Sequence, residues 1–208
     1  RQYSRKTHCN CFSHFHNFSA SGGSEKSTYR ASLNYLDANG IAKQNGREQF
    51  GGRFSFVQKG LQDYLTFSTN IAANFNKADL LGGKTEYFEQ AMQRNPTAPL
   101  MNSDGTFYET QGYNNFNPMG RLAHRIDDRN QQTFSGDARL KLKIIDELSV
   151  SAFGSYVRDN FNDRQYRSIL DWEQRANSSY QGMGYGYKKN ELSWTKTFET
   201  TIDYNQTF

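Results

Sequence analysis

The stretch from Asn17 to Ile41 reads NFSASGGSEKSTYRASLNYLDANGI. It parses as strand, tight turn, strand and loop. Gly22, Gly23, Ser24, Glu25 and Lys26 supply the small and polar residues that a chain reversal needs. The second strand then alternates. Tyr29, Ala31, Leu33 and Tyr35 fall on one face, and Arg30, Ser32 and Asn34 on the other. A half-buried strand has this period of two.

The same alternation recurs, and the pattern predicts six or seven strands. A weak one covers residues 15–21, and the others cover 28–36, 49–58, 64–75, 133–144, 148–157 and 192–204. The sharpest is 133–144. There Phe134, Gly136, Ala138, Leu140, Leu142 and Ile144 oppose Ser135, Asp137, Arg139, Lys141 and Lys143.

Composition supports strands over helices. Among 208 residues there are 16 Phe, 13 Tyr and 17 Gly but only 3 Pro. Only 35% of residues are hydrophobic, and the mean hydropathy is −0.90. No stretch approaches the roughly 18 apolar residues of a transmembrane helix. The net charge of +4 comes from 25 basic and 21 acidic side chains with interleaved signs. No basic stripe stands clear, so the pI near 9.0 does not indicate a nucleic-acid partner. The chain opens on Arg-Gln-Tyr-Ser without an initiating Met or an apolar segment behind it, and reads as a fragment or processed piece.

Alternation alone does not separate a sandwich from a membrane barrel; the connections do. Short ones near 22–27, 59–63 and 145–147 alternate with long ones at 37–48, 76–132 and 158–190. In an up-and-down meander every second connection lies at the same end. All short turns then share one rim, as in outer-membrane barrels. Residues 65–75 span ten steps, roughly 33 Å. Tilted by about 40°, that covers the roughly 25 Å apolar band of such barrels. Full charges on the polar face suit a wet lumen, not a packed interior. The expected fold is all-β: about seven strands of a larger, partial, antiparallel up-and-down transmembrane barrel. Residues 1–16 are an unassigned N-terminal tail and 17–208 the barrel fragment. Within 76–132, Tyr87, Phe88, Ala91 and Met92 have helical spacing, and Asn102-Ser103-Asp104-Gly105 reads as a turn.

Several stretches, taken in order, resemble the SusC/RagA family of TonB-dependent outer-membrane transporters of Bacteroidetes. They are NFSASGGS with YRASLNYLDANGI, REQFGGRFSF at 47–56, PTAPLMNSDGTFY at 96–108 followed by Asn117-Pro118, and LKLKIIDELSVSAF at 140–153. The resemblance covers about residues 17–208. It implies a barrel of about 22 strands around a plug domain. It also implies a SusD-like surface lipoprotein as partner, TonB acting through a plug that this chain lacks, and outer-membrane lipid around the wall. The substrate would be an oligosaccharide or, for some members, a peptide. The expected function is nutrient import at the outer membrane, not catalysis. The competing reading is a soluble carbohydrate-binding β-sandwich. A small passive porin would need an even strand count.

No nucleophile elbow, phosphate loop or paired catalytic His and acid stands out, and no cofactor is expected. Cys9, Cys11, His14 and His16 form a cramped cluster of soft ligands. Its competing reading is an appended tail, so no metal is assigned. Asp127-Asp128 lacks any calcium-loop spacing. The candidate ligand-binding residues are the long-loop aromatics Tyr113, Trp172, Tyr180, Tyr185 and Tyr187, with Tyr108 beside them. Flat rings stack on the apolar faces of sugars. The competing reading assigns them to an interfacial girdle or to loop packing. Arg164, Arg167 and Arg175 are candidates for an acidic ligand, or else a solvated face.

Overall fold

A computed structural model describes residues 12–81, 84–110, 116–177 and 179–206. Seven strands form one antiparallel sheet in sequence order. They are β1 (His14–Gly23), β2 (Ser27–Asn39), β3 (Gly46–Gly60), β4 (Leu65–Asp79), β5 (Arg125–Lys143), β6 (Leu148–Arg167) and β7 (Tyr185–Tyr204). Among the described residues three helices lie in the connections: α1 (Lys84–Gln93), α2 (Pro118–His124) and α3 (Trp172–Ala176). The helix α1 lies where the spacing of Tyr87, Phe88, Ala91 and Met92 predicts one. Residues 102–105 form the expected turn, with Gly105 at φ +80°. Cys9, Cys11 and Tyr113 lie outside the described residues.

One unbroken register runs through all seven strands. Leu33 faces Gly52, which faces Ala73, then Phe134. Leu65 faces Leu142, then Val150, then Ile202. Every apolar row expected from the alternation therefore falls on the same side. The opposite side runs Arg30, Ser55, Asn70, Asp137, Ser155, Thr197 in register. A slip of one residue at any ladder would mix the two sides.

The turn at 24–26 fixes the first register. The Ser24 N–H donates to Ser27 O at 2.6 Å. A Cβ on Gly23 would lie 2.2 Å from Ser27 O, so only glycine fits there.

The apolar side is not covered by protein. Leu140 is 47% exposed, Ile71 44% and Phe198 77%. All seven described strands belong to one sheet. The β-sandwich alternative fails on this point, because its apolar face needs a second sheet to bury it. The charged side pairs within itself. Arg129 binds Asp163 through two bonds of 2.7 and 2.8 Å. Thr133 Oγ1 donates to Asp159 at 2.9 Å. Asn70 Nδ2 donates to Asp137 at 2.9 Å, and Arg47 Nε to Asn76 at 2.7 Å.

The strands run farther than alternation predicts. The connection expected at 37–48 shrinks to residues 40–45, and the one expected at 158–190 shrinks to 168–184. Beyond the apolar rows apolar and aromatic residues such as Ile126, Phe161 and Tyr166 are scattered among polar ones over both faces, so no period of two is legible in the sequence. The backbone ladder continues regardless, as the pairs Asp128–Arg164 and Arg164–Lys188 show. β1 likewise begins at His14, inside the stretch left unassigned. No described helix is long and apolar enough to cross a membrane.

Candidate functional site

Side-chain burial concentrates at the long-loop end. Tyr87, Phe116, Asn117, Pro118, Asp171 and Gln174 are buried there, where the 80–124 and 168–184 connections meet.

Asn117 organises the first of these. It caps α2, accepting the Met119 N–H at 3.0 Å, with Pro118 at the first helical position. Its Nδ2 donates to Leu100 O at 2.9 Å and Tyr108 O at 3.1 Å. Its own N–H donates to the Glu109 carboxylate. Arg94 donates to the Tyr108 carbonyl and lies 5.8 Å from its ring centre. Gly120 lets this hairpin approach. A Cβ there would sit 3.1 Å from the Phe107 ring and 3.2 Å from Glu109 Oε1.

Burial pushes the Glu109 carboxyl up to about 7, against its hydrogen bond from Asn117 and the charges of Arg94 and Arg175. A raised carboxyl favours the folded cap most when protonated. That contribution is complete below the ordinary 4.5 and disappears as pH rises through about 7. Hydrogen exchange across residues 116–121 should therefore accelerate between pH 5 and 7.5, beyond the intrinsic rate change. Glu109→Gln should flatten that extra dependence. An identical profile in the variant would refute the assignment.

The second loop folds inward. Arg125 and Arg167 are register partners on the charged side of the sheet. Arg125 Nε lies 2.7 Å from Asp171 Oδ2, and its Nη2 lies 2.9 Å from Asp171 Oδ1. Asp171 also caps α3, accepting the Glu173 N–H at 3.0 Å. Burial pushes the Asp171 carboxyl up, but the Arg125 guanidinium outweighs it and holds the group below its ordinary range. Three guanidiniums converge on Glu173 Oε2: Arg125 at 2.6 Å, Arg167 at 3.3 Å and Arg121 at 3.5 Å. Since Arg125 points to the charged side, α3 lies over that side at the long-loop end of the sheet.

The predicted aromatics divide. Tyr185 and Tyr187 are on β7, not in a loop, and share its charged-side face. Tyr185 lies opposite Arg167, whose guanidinium is 5.4 Å from its ring centre. Trp172 is half-buried at the start of α3. Tyr180 lies in the following turn, its N–H donating to Asn177 O at 3.0 Å. Arg164 is on the apolar-side face of β6, paired with Asp128, while Arg175 lies on α3. Sequence reasoning missed Arg121, Arg125, Asp171 and Glu173. The Asp-Trp-Glu at 171–173, a helix-cap pattern, was the available signal. Among the described residues no three His, Cys, Asp or Glu side chains converge as metal ligands. His14 and His16 lie side by side, ring centres 5.1 Å apart.

No family model matches the chain. Over 192 residues, 89% of its length, it is 28% identical to TonB-dependent receptor P26 of Formosa agariphila. Over 104 residues, 47% of its length, it is 29% identical to TonB-dependent receptor SusC of Bacteroides thetaiotaomicron. It superposes on the structure of the RagAB peptide transporter with a TM-score of 0.75, over 98% of its length at 16% identity. The chain is similar to SusC/RagA proteins and has the fold of a segment of the RagAB transporter barrel. The RagAB peptide importer in its closed-closed state gives a TM-score of 0.71 over 93% of the chain at 16% identity. The chain spans 18% of P26, 10% of SusC and 23% of the RagAB transporter chain.

Proposed function

We propose that the chain forms consecutive strands in the wall of an outer-membrane importer. The substrate is an oligosaccharide or a peptide. A SusD-like lipoprotein closes the outer mouth, and TonB acts through a plug domain of the parent polypeptide. The wall makes no bonds; it provides gated passage. The observation that carries this reading is the single register that gathers the apolar rows on one side, interrupted in mid-strand by Arg158 and Lys196, and leaves a self-paired charged side opposite. Lipid accepts the first, and a wet lumen accepts the second. The likeness to P26, SusC and the RagAB transporter supports it. Tyr185 and Tyr187, aimed at the lumen near its outer end, are the stacking residues of this reading.

Labelling tests the orientation. In the full-length transporter in whole cells, Asn102→Cys and Gly182→Cys should react with a membrane-impermeant maleimide. Gln62→Cys and Asp146→Cys, in the short turns, should react only after the outer membrane is permeabilised. The reverse pattern, or recovery of the protein in the soluble fraction, would end the importer reading.

A further inference from the structure

The three guanidiniums around Glu173 are arranged for an anion, and the anion they hold is the chain's own. Asp171 is the permanent partner: its side chain is 2% exposed and it bonds Arg125 twice. Glu173 differs. Its side chain is 30% exposed, and that of Arg167 is 29% exposed. Both are reachable from the lumen side, beside the Tyr185 ring.

The element carrying Glu173 is weakly held. α3 has five residues, too few to persist without tertiary support. Its next residue, Gln174, is 1% exposed, and neither Nε2 nor Oε1 of its amide has a hydrogen-bond partner. A buried amide without partners raises the energy of the closed arrangement. Moving α3 away would let water reach that amide, so displacement recovers part of its own cost.

We propose that Glu173 is a placeholder for an anionic group on the transported ligand, whose carboxylate displaces it from Arg121, Arg125 and Arg167 and so releases α3 from the mouth. This rests on the importer reading and names its substrate class as acidic. The planar guanidiniums suit a carboxylate through paired N–H donors. Such a carboxylate occurs on a uronic-acid oligosaccharide and on an acidic peptide alike. The neighbouring ring of Tyr185 would stack on either.

Binding to the full-length transporter in detergent, by calorimetry, tests this with three probes: tetragalacturonate, tetraglutamate and uncharged maltotetraose. Glu173→Gln removes the internal competitor, so at least one acidic probe should bind about tenfold more tightly than to wild type. Arg167→Gln should weaken that same probe by a similar factor. Maltotetraose should be indifferent to both changes. Which acidic probe responds identifies the source of the carboxylate. A purely structural Glu173 would give the opposite sign, with Glu173→Gln weakening every probe or changing none. Either of those results, or no acidic binding to Glu173→Gln, overturns the proposal. If cysteine labelling keeps its expected pattern while this binding fails, only the placeholder falls. If the labelling fails, the importer reading falls with it.

Discussion

Arg125→Ala should open the outer cap without dissolving the wall beneath it. The guanidinium is 6% exposed and holds Asp171, itself 2% exposed, together with Glu173. Removing one partner of such a pair strands a buried charge, at a cost of about 3–5 kcal/mol. The wall loses little, because its strands remain laddered from Arg125 to Lys143 and beyond. Proteolysis within residues 168–184 of the folded transporter should therefore accelerate by roughly two orders of magnitude, the lower part of that range. The heat-modifiable mobility of the barrel should stay unchanged. Arg125→Met with Asp171→Leu should recover most of the protection, since apolar replacements of both partners leave no orphan. The recovery will be incomplete, because Asp171 also caps α3. Unchanged proteolysis in Arg125→Ala would show that the ion pair does not hold the cap. Asp171 adds no pH dependence between 5 and 8. Its carboxyl lies below the ordinary 3.8, so its contribution is complete above that value and is lost only in stronger acid.

A charge placed midway down the apolar side should damage the wall itself. Ala138 is exposed there, in register with Thr69 on one neighbour and Gly154 on the other. Rows of apolar residues continue on either side of it along the strand. Ala138→Arg meets no steric obstacle, so its effect isolates the surrounding medium. At a bilayer midplane it should cost about 2–4 kcal/mol, read by urea unfolding of the transporter in lipid vesicles. Ser135→Arg, on the charged side of the same strand, should cost about 1 kcal/mol or less, as surface substitutions do. If the two substitutions cost the same, the apolar side does not face lipid.

The wall was legible because its information is local. In β5, Phe134 through Leu142 alternate against Ser135 through Lys141 within a single strand. The short turns then dictated which rim each connection joins. Strand ends were illegible for a physical reason. From Asp128 to Arg125, and from Arg164 to Arg167, Ile126 and Tyr166 stand alone among polar residues, too few to show a period, and hydrogen bonding between main chains leaves no side-chain signature. On that account the sequence places Tyr185 and Tyr187 in a loop, whereas both lie on β7. The cap was hidden for a different reason. Arg125 and Asp171 are 46 residues apart in sequence, and no spacing rule connects them. Its helices α2 and α3 have seven and five residues, too short for a periodic stripe. What sequence could offer was punctuation: Asn117-Pro118 before α2 and Asp171 before α3.

The strands also differ in height. β5, β6 and β7 continue three register positions past the pair Asp79–Asp128 where β4 stops, about 10 Å of extra wall. The opening consequently has a high bank and a low one. The raised part carries Tyr185, Tyr187 and Arg167, all beyond the height at which β4 ends. In the proposed importer, a ligand coming from outside would therefore meet that raised side first.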